Sequence, residues 1–459
     1  MAIDLQGKKV LVVGLARSGA AAARLAATRG ARVTATDRRG ETELREATAA
    51  LAGLPIAFTL GRHEPGDFTG ADLVVVSPGV PMALPELAAA RRAGVPVVAE
   101  VELAARCLEG VPLVAITGTN GKSTTTALAG ALFAEDRRAF VGGNLGTPLS
   151  DLALAGAAVD VAVVELSSFQ LEGIERLRPR VAAVLNLTPD HLDRYAGMDA
   201  YAAAKTRIFM SQQPGDVALA NARDPRTVSM AQSSRGEVWT FGPGAPELRA
   251  VRDGGEALLL SGPSGEPERY RVRSRALRGR HNRENAMAAI ACARLLGVPG
   301  AEVQRGLDRF PGLPHRLELV GERGGVEWVN DSKATNVDST LVGLSAFPAG
   351  RPSVLLILGG RGKLSPYAPL RDLFPGRVKV LLTIGEDAPA LERELGDAAP
   401  LESCGDLATA VGRAASLARP GDVVLLSPAC SSYDQFQDYQ HRGETFRALV
   451  AALPEAKRP

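Results

Sequence analysis

Short apolar runs recur along the chain, each closing on a polar or glycine residue, with alanine-rich stretches of helical character between them. Lys9-Val-Leu-Val-Val-Gly14, Val33-Thr-Ala-Thr-Asp37, Leu73-Val-Val-Val-Ser77, Val114-Ala-Ile-Thr117, Val161-Ala-Val-Val-Glu165 and Val181-Ala-Ala-Val-Leu-Asn186 are of this kind, as are the runs from Val354, Val378 and Asp422. A half-exposed strand alternates apolar and polar residues, whereas a run that is apolar throughout is covered on both faces, as in a parallel sheet between helices. The pattern predicts an α/β chain with its chemistry in the loops at the carboxyl ends of the strands.

The first strand, an alanine-rich helix to about Arg29 and the strand ending at Asp37 form a βαβ unit, a Rossmann-like half. Its turn, Gly14-Leu-Ala-Arg-Ser-Gly19, has Ala16 where G-x-G-x-x-G has its middle glycine. Asp37, with Arg39 beside it, stands where a sugar hydroxyl is bound, which suits NAD or a nucleotide sugar. Ser77-Pro-Gly79 ends another strand, and the stretch from Arg91 to Glu100 repeats helix then strand. A boundary near residue 100 and a proline/glycine hinge, Pro311-Gly-Leu-Pro-His-Arg316, divide the 459 residues into domains 1–100, 101–312 and 313–459. About three domains are expected for that length.

Phosphate binding is predicted at Thr117-Gly-Thr-Asn-Gly-Lys-Ser-Thr124, between an apolar strand and a helix from Thr124 to about Phe133. Gly118 and Gly121 let the backbone turn its N–H groups inward, the helix N-terminus adds partial positive charge, Lys122 can reach a terminal phosphate, and Ser123 can ligate Mg²⁺. ATP is the expected ligand, although Ile116 stands where the general G-x-x-x-x-G-K-[ST] pattern has its first glycine. Glu165 closes an apolar strand, and a buried carboxylate there calls for a cation such as Mg²⁺. Gly142-Gly-Asn-Leu-Gly-Thr-Pro148 reads as a loop, with Asn144 either a turn former or a neutral donor to phosphate. Asn186, Asp190 and His191 follow another strand, and His191 suits a structural role or one beside bound nucleotide. Asp199 reads as the cap of a helix over Ala200–Phe209, and within it Lys205 reads as a solvated surface lysine. Asn282 and Asn285, three apart at a helix start, suit a base or ribose, and Asn330-Asp-Ser-Lys-Ala-Thr-Asn336 is dense in hydrogen-bonding groups. The final apolar runs predict a second doubly wound sheet.

Composition narrows the partners. Lys and Arg number 53 against 51 Asp and Glu, a net charge of +2, so no broad field for nucleic acid is present. Cys107, Cys292, Cys404 and Cys430 lack metal-ligand spacing and read as buried small residues of a reducing cytoplasm. No apolar run approaches the ~20 residues of a membrane span, and no leader sequence is read at the start. A cytoplasmic monomer acting on small molecules is expected.

Together Thr117–Thr124, Glu165-Leu-Ser-Ser-Phe-Gln170, His281-Asn282 with Asn285, His315-Arg316 and Asp331-Ser-Lys-Ala-Thr-Asn336 resemble the Mur ligases over essentially the whole chain. Ser427-Pro-Ala-Cys-Ser-Ser-Tyr-Asp-Gln-Phe436 and Gly359-Gly360 with Lys363 look like the members that add D-glutamate. The resemblance implies an N-terminal UDP-binding Rossmann-like domain, a central P-loop ATPase-type domain and a C-terminal Rossmann-like domain. It implies that ATP phosphorylates the carboxylate of UDP-MurNAc-L-alanine and that D-glutamate displaces phosphate from the acyl phosphate through a tetrahedral intermediate, in cytoplasmic peptidoglycan precursor synthesis. By the same resemblance Lys122, Asn144, His191 and Lys205 act on the phosphoryl group. Ser123, Glu165, His191 and Lys205 serve two Mg²⁺ ions, Lys205 as a carbamate formed with CO₂. Asn282, Asn285, Arg316 and Asp331 join Gly118–Thr124 in holding ATP. Lys333, Thr335, Lys363, Ser432 and Tyr439 receive D-glutamate, and Arg17, Ser18, Asp37, Arg39 and Ser77 the UDP part. The rivals are a ligase of the same family with another acceptor, whose diaminopimelate motif Asp-Asn-Pro-Arg is absent, and a nucleotide-binding regulator without turnover.

Overall fold

The computed structural model describes residues 3–156, 158–191, 194–363 and 366–454. The first sheet has strands β1 (Lys9–Val13), β2 (Arg32–Asp37), β3 (Ile56–Leu60), β4 (Leu73–Val76) and β5 (Val97–Ala99). They are parallel, in the order β3-β2-β1-β4-β5. The order reverses between β1 and β4, so the Gly14–Gly19 turn and the Ser77–Gly79 turn share the crevice where open α/β sheets bind ligands.

Nine strands make the second sheet: β6 (Leu113–Thr117), β7 (Ala139–Gly143), β8 (Val161–Glu165), β9 (Val181–Val184), β10 (Val217–Asn221), β11 (Glu237–Phe241), β12 (Ala250–Asp253), β13 (Leu258–Ser261) and β14 (Glu268–Tyr270). In the order β14-β13-β12-β11-β10-β9-β6-β8-β7, β6 lies between β8 and β9, so the loops after β6, β8 and β9 open side by side. Only the β12-β13-β14 edge is antiparallel. The third sheet contains β15 (Glu318–Arg323), β16 (Val326–Asn330), β17 (Val354–Gly359), β18 (Val378–Ile384), β19 (Leu401–Gly405) and β20 (Val423–Leu426), in the order β15-β16-β20-β17-β18-β19, with β15 alone antiparallel. It is larger than the three apolar runs indicated, because β15, β16 and β19 mix polar residues into their sequences.

Residues 3–272 and 284–308 form one compact unit, and residues 273–283 and 309–454 the other. In the first unit the helices Arg17–Thr28 and Glu100–Cys107 pack on the helix Leu149–Ala155. Leu25, Val101, Leu103, Leu149 and Leu152 thereby join one core that continues from the first sheet into the second. In the second unit β17 divides its side chains by strict alternation. Leu356 and Leu358 enter one apolar cluster, Leu355 and Ile357 the other, which is why its sequence is apolar at every position.

Three local expectations are corrected. Gly142 and Gly143 close strand β7 rather than opening a loop. A Cβ on Gly142 would stand 2.3 Å from the Thr147 carbonyl oxygen and one on Gly143 2.4 Å from that of Glu165, so absent side chains let the strand end lie this close. The helix after the phosphate loop begins at Lys122, two residues early, with Gly121 in the left-handed region as its cap. Asp199 is not a cap: Gly197 is, and Asp199 sits in the first turn of Met198–Thr206, where its charge complements the helix dipole. The cysteines are all unpaired, Cys292 and Cys430 buried and Cys107 and Cys404 only partly so. Among the described residues no helix is long and apolar enough to cross a membrane.

Candidate active site

Strand β6 delivers Thr117 to the phosphate loop, and the loop's shape is held from outside. The Asn186 side chain, just past β9, accepts from the N–H of Thr119 at 3.1 Å and of Asn120 at 2.8 Å and donates to the Asn120 carbonyl at 3.0 Å. Thr119 Oγ1 donates to the Thr188 carbonyl. On the other side Asn285 Oδ1 accepts from Thr125 Oγ1 at 3.2 Å and lies where a Cβ on Gly121 would be. Asn285 thus braces the loop through Thr125. Lys122 Nζ bonds the carbonyls of Gly118 and Thr119, Ser123 is buried at the helix start, and Thr124 follows half-buried. N–H groups at a helix N-terminus, an ammonium and a hydroxyl give this loop the donor chemistry of an anion site.

Beside it, Glu165 at the end of β8 is 3% exposed. Its Oε1 accepts from Asn144 Nδ2 at 2.8 Å, while its buried Oε2 has no hydrogen-bond partner. An ionised oxygen left so is costly unless a cation reaches it, and this is the donor chemistry of Mg²⁺. Asn144 is therefore the neutral partner of Glu165, its own N–H bonded to the Glu165 carbonyl. Among the described residues no group of three or more His, Cys, Asp or Glu forms a metal cage.

Lys205 overturns the surface reading. It is 1% exposed, its ammonium lying over the Tyr201 ring at 4.7 Å and donating to the Gly118 carbonyl at 2.9 Å and to Thr117 Oγ1 at 3.3 Å. Burial, with Lys122 adding repulsion against the pull of Asp190 and Glu165, lowers its pKa to about 7. His191 stands nearby with φ 54°, its N–H bonded to Asp190 and its ring 4.8 Å from that of Phe169 and 6.2 Å from that of Tyr201.

In the first sheet Asp37 and Arg39 form a bidentate pair, and Asp37 also accepts from the Leu15 N–H at 2.8 Å. Burial raises the Asp37 pKa, but these bonds outweigh it and hold the carboxyl at about 2. Ser77 Oγ donates to the Gly14 carbonyl at 2.7 Å, and a Cβ on Gly19 would meet that oxygen at 1.8 Å. Asp37 and Ser77 thus shape the turn from two sides. Arg17 and Ser18 open the helix at its rim, Arg17 exposed.

The second unit gathers the rest. Asp331 is buried, accepting from Ser427 Oγ at 2.8 Å and from the Leu317 N–H at 3.2 Å, and burial pushes its pKa up to about 7. The hinge before it is bent: His315 and Leu317 have φ 63° and 45°, and between them Arg316 keeps a buried Nε without a partner. Asn282 Nδ2 bonds the Arg278 carbonyl. Lys333 lies over the Tyr439 ring at 5.4 Å, Lys363 donates to Thr335 Oγ1 at 3.4 Å, and Ser432 is buried. These loops share an anchor absent from the expected set. Arg442, fully buried, donates to Ser332 Oγ and to the carbonyls of Ser332, Gly359, Cys430 and Ser431. Nothing in Tyr439-Gln-His-Arg442 marks that arginine as interior; only the convergence of three loops does.

A three-sheet α/β chain with a glycine-rich phosphate loop, a half-satisfied buried carboxylate and a buried lysine is a nucleotide-dependent phosphoryl-transfer protein by class. Comparison with known proteins is specific. Residues 8–99 match the family model described as Mur ligase MurD-like, N-terminal domain; 116–293 match the Mur ligase middle domain, and 315–430 the Mur ligase, glutamate ligase domain. The chain is 69% identical over 97% of its length, and 98% of the relative's, to the UDP-N-acetylmuramoylalanine--D-glutamate ligase of Anaeromyxobacter dehalogenans (strain 2CP-C). It is 54% identical to the enzyme of the same name from Myxococcus xanthus (strain DK1622), over 99% of this chain and all of that one. Among solved structures, UDP-N-acetylmuramate-alanine ligase MurC from Thermotoga maritima shares the fold, with TM-score 0.59 and 21% identity over 97% of this chain and 99% of that one. The chain belongs to the Mur ligase family.

Proposed function

We propose that this chain is the ATP-dependent ligase that joins D-glutamate to UDP-N-acetylmuramoyl-L-alanine in peptidoglycan precursor synthesis. The observation that carries the reading is near-complete coverage at 69% identity by a relative of that name, with every residue of the expected phosphoryl site present. The L-alanine carboxylate attacks the γ-phosphorus of ATP, forming an acyl phosphate and releasing ADP. The D-glutamate amine then adds to the acyl carbon, loses a proton, and the tetrahedral intermediate expels phosphate as the amide forms. Such chemistry needs positioning and charge neutralisation more than covalent help. The N–H groups at the start of the helix after Gly121 and the Lys122 ammonium bind the phosphates, those of Thr119 and Asn120 being taken by Asn186 Oδ1, and Asn144 and His191 serve the transferring group. Glu165 Oε2, Ser123, His191 and Lys205 are the residues that would hold two Mg²⁺ ions. Mg²⁺, when bound, neutralises charge on the phosphoryl oxygens.

Lys205 enters that set as a carbamate: its neutral amine adds to CO₂ and loses a proton, and an oxygen-donor anion results. The pKa of about 7 supports this, because an appreciable share of the amine is then neutral near neutrality. Asn282, Asn285, Arg316 and Asp331 serve the nucleotide, Asn285 and Asp331 by bracing the phosphate loop and the Arg316 hinge within their own units. Lys333, Thr335, Lys363, Ser432 and Tyr439 hold the D-glutamate carboxylates, and the Arg17–Ser18 turn with Asp37, Arg39 and Ser77 takes the UDP part. Domains 1–100, 101–312 and 313–459 divide the tasks, in a cytoplasmic monomer.

The test is phosphate release from ATP and UDP-N-acetylmuramoyl-L-alanine with D-glutamate, L-glutamate, meso-diaminopimelate or L-lysine, with product mass measured. Amide formation with D-glutamate alone is expected. Ligation of another acceptor would overturn the D-glutamate assignment, and no turnover would favour a regulator.

A further inference from the structure

The His191 ring belongs to an aromatic cluster, tilted against Phe169 and edge-on to Tyr201. Phe169 lies against it at 4.8 Å, and the Arg194 guanidinium covers the Phe169 ring at 3.8 Å. Arg194 is itself held: Nη2 pairs with Glu172 Oε2 at 3.3 Å, and Nη1 reaches the Pro78 carbonyl at 3.5 Å in the turn after β4 of the first sheet. Glu172 Oε1 accepts from the Tyr195 hydroxyl, and Tyr195 lies 5.3 Å from Tyr201, the ring beneath Lys205. The Phe169 segment also leads back to Glu165, and Gly173 at its end packs directly on Ala99. His191 needs such support, because a non-glycine residue at φ 54° is strained unless its surroundings fix it.

We infer that Arg194 is a positioning residue: by clamping Phe169 it sets the His191 ring, and through Pro78 it ties that ring to the Ser77–Gly79 turn that takes the UDP substrate. The inference rests on the ligase reading. A cation over an aromatic face gives orientation a lysine cannot fully replace, since the flat guanidinium both stacks and donates from two edges.

The test compares Arg194→Ala, Arg194→Lys and Phe169→Leu with the parent protein by steady-state kinetics, thermal unfolding and the ¹H–¹³C resonances of the ring Cε1 groups. With five histidines in the chain, His191→Asn identifies the His191 signal. Arg194→Ala should lower kcat about 10- to 100-fold and raise the KM for the UDP substrate while leaving that for D-glutamate unchanged. Its His191 resonance should move, as should that of Phe169→Leu, and Arg194→Lys should recover part of the rate. An unmoved His191 resonance overturns the inference, as does a rate loss that merely follows a lowered unfolding midpoint. The resonance is read without turnover, so a parent protein that ligates nothing would count against the ligase reading while Arg194 is still judged.

Discussion

Glu165 keeps one oxygen buried without a donor, an arrangement that costs about 1–3 kcal/mol in a protein selected for stability alone. Glu165→Gln retains the bond from Asn144 and removes the charge. It should therefore hold or raise the unfolding midpoint while ligation falls at least about 100-fold, a split read from thermal melts beside activity. This carboxylate was legible in the sequence because it ends an apolar run. Lys205 was not. Its helix, Met198-Asp-Ala-Tyr-Ala-Ala-Ala-Lys-Thr206, is nearly all alanine around the lysine and has no apolar stripe to say which face turns inward. If Lys205 carries a carbamate, protein equilibrated with ¹³CO₂ should give a carbamate carbon signal that vanishes in Lys205→Arg. Its absence from the parent protein would remove Lys205 from the metal set.

Helices and strands set these residues in place, and several of the supporting contacts are main-chain. The helix Tyr439–Ala452 brings Arg442 under three loops, with no ion pair to an acid among the described residues; burial lowers its pKa only to about 10, with Asp434 pulling it up, so it stays charged. Arg442→Met should cost about 2–4 kcal/mol in urea unfolding, because the freed carbonyls stay buried, and should raise the KM for D-glutamate more than that for ATP. Unchanged stability would show that the loops hold themselves. Such an anchor escapes sequence reading, since burial of an arginine depends on segments about a hundred residues away. The same holds for Asn186, whose place after an apolar strand was visible but whose three bonds to the phosphate loop were not. Glycines were more legible: Gly118 and Gly121 were read correctly as turn formers, whereas Gly142 and Gly143 misled because a strand end pressed against its neighbour also demands them.

The parallel α/β architecture was legible where strands covered on both faces leave an unbroken apolar signature, but β15, β16 and β19, which mix in polar residues, escaped it. The joining of the first two sheets into one unit was not, because alanine-rich helices look alike whether they face solvent or another layer. Glu100 stands at that join, fully buried, accepting from the Ser150 N–H at 2.7 Å at the start of the helix Leu149–Ala155. Its other oxygen has no partner, and burial raises its pKa from 4.5 to about 7. The folded state then binds more protons than the unfolded one between those values, so this group's contribution to stability is lost as pH rises from about 4.5 through 7. Glu100→Gln should gain on the parent protein as pH is raised from about 5 to 8, seen by urea unfolding at each pH; a difference independent of pH would show that Glu100 stays ionised. The continuous core also bears on synthesis. The helices Arg17–Thr28 and Glu100–Cys107 close their apolar sides on Leu149–Ala155, which leaves the ribosome later. The nascent first sheet must wait for that helix with the facing sides of both helices uncovered, a window in which a chaperone has something to hold.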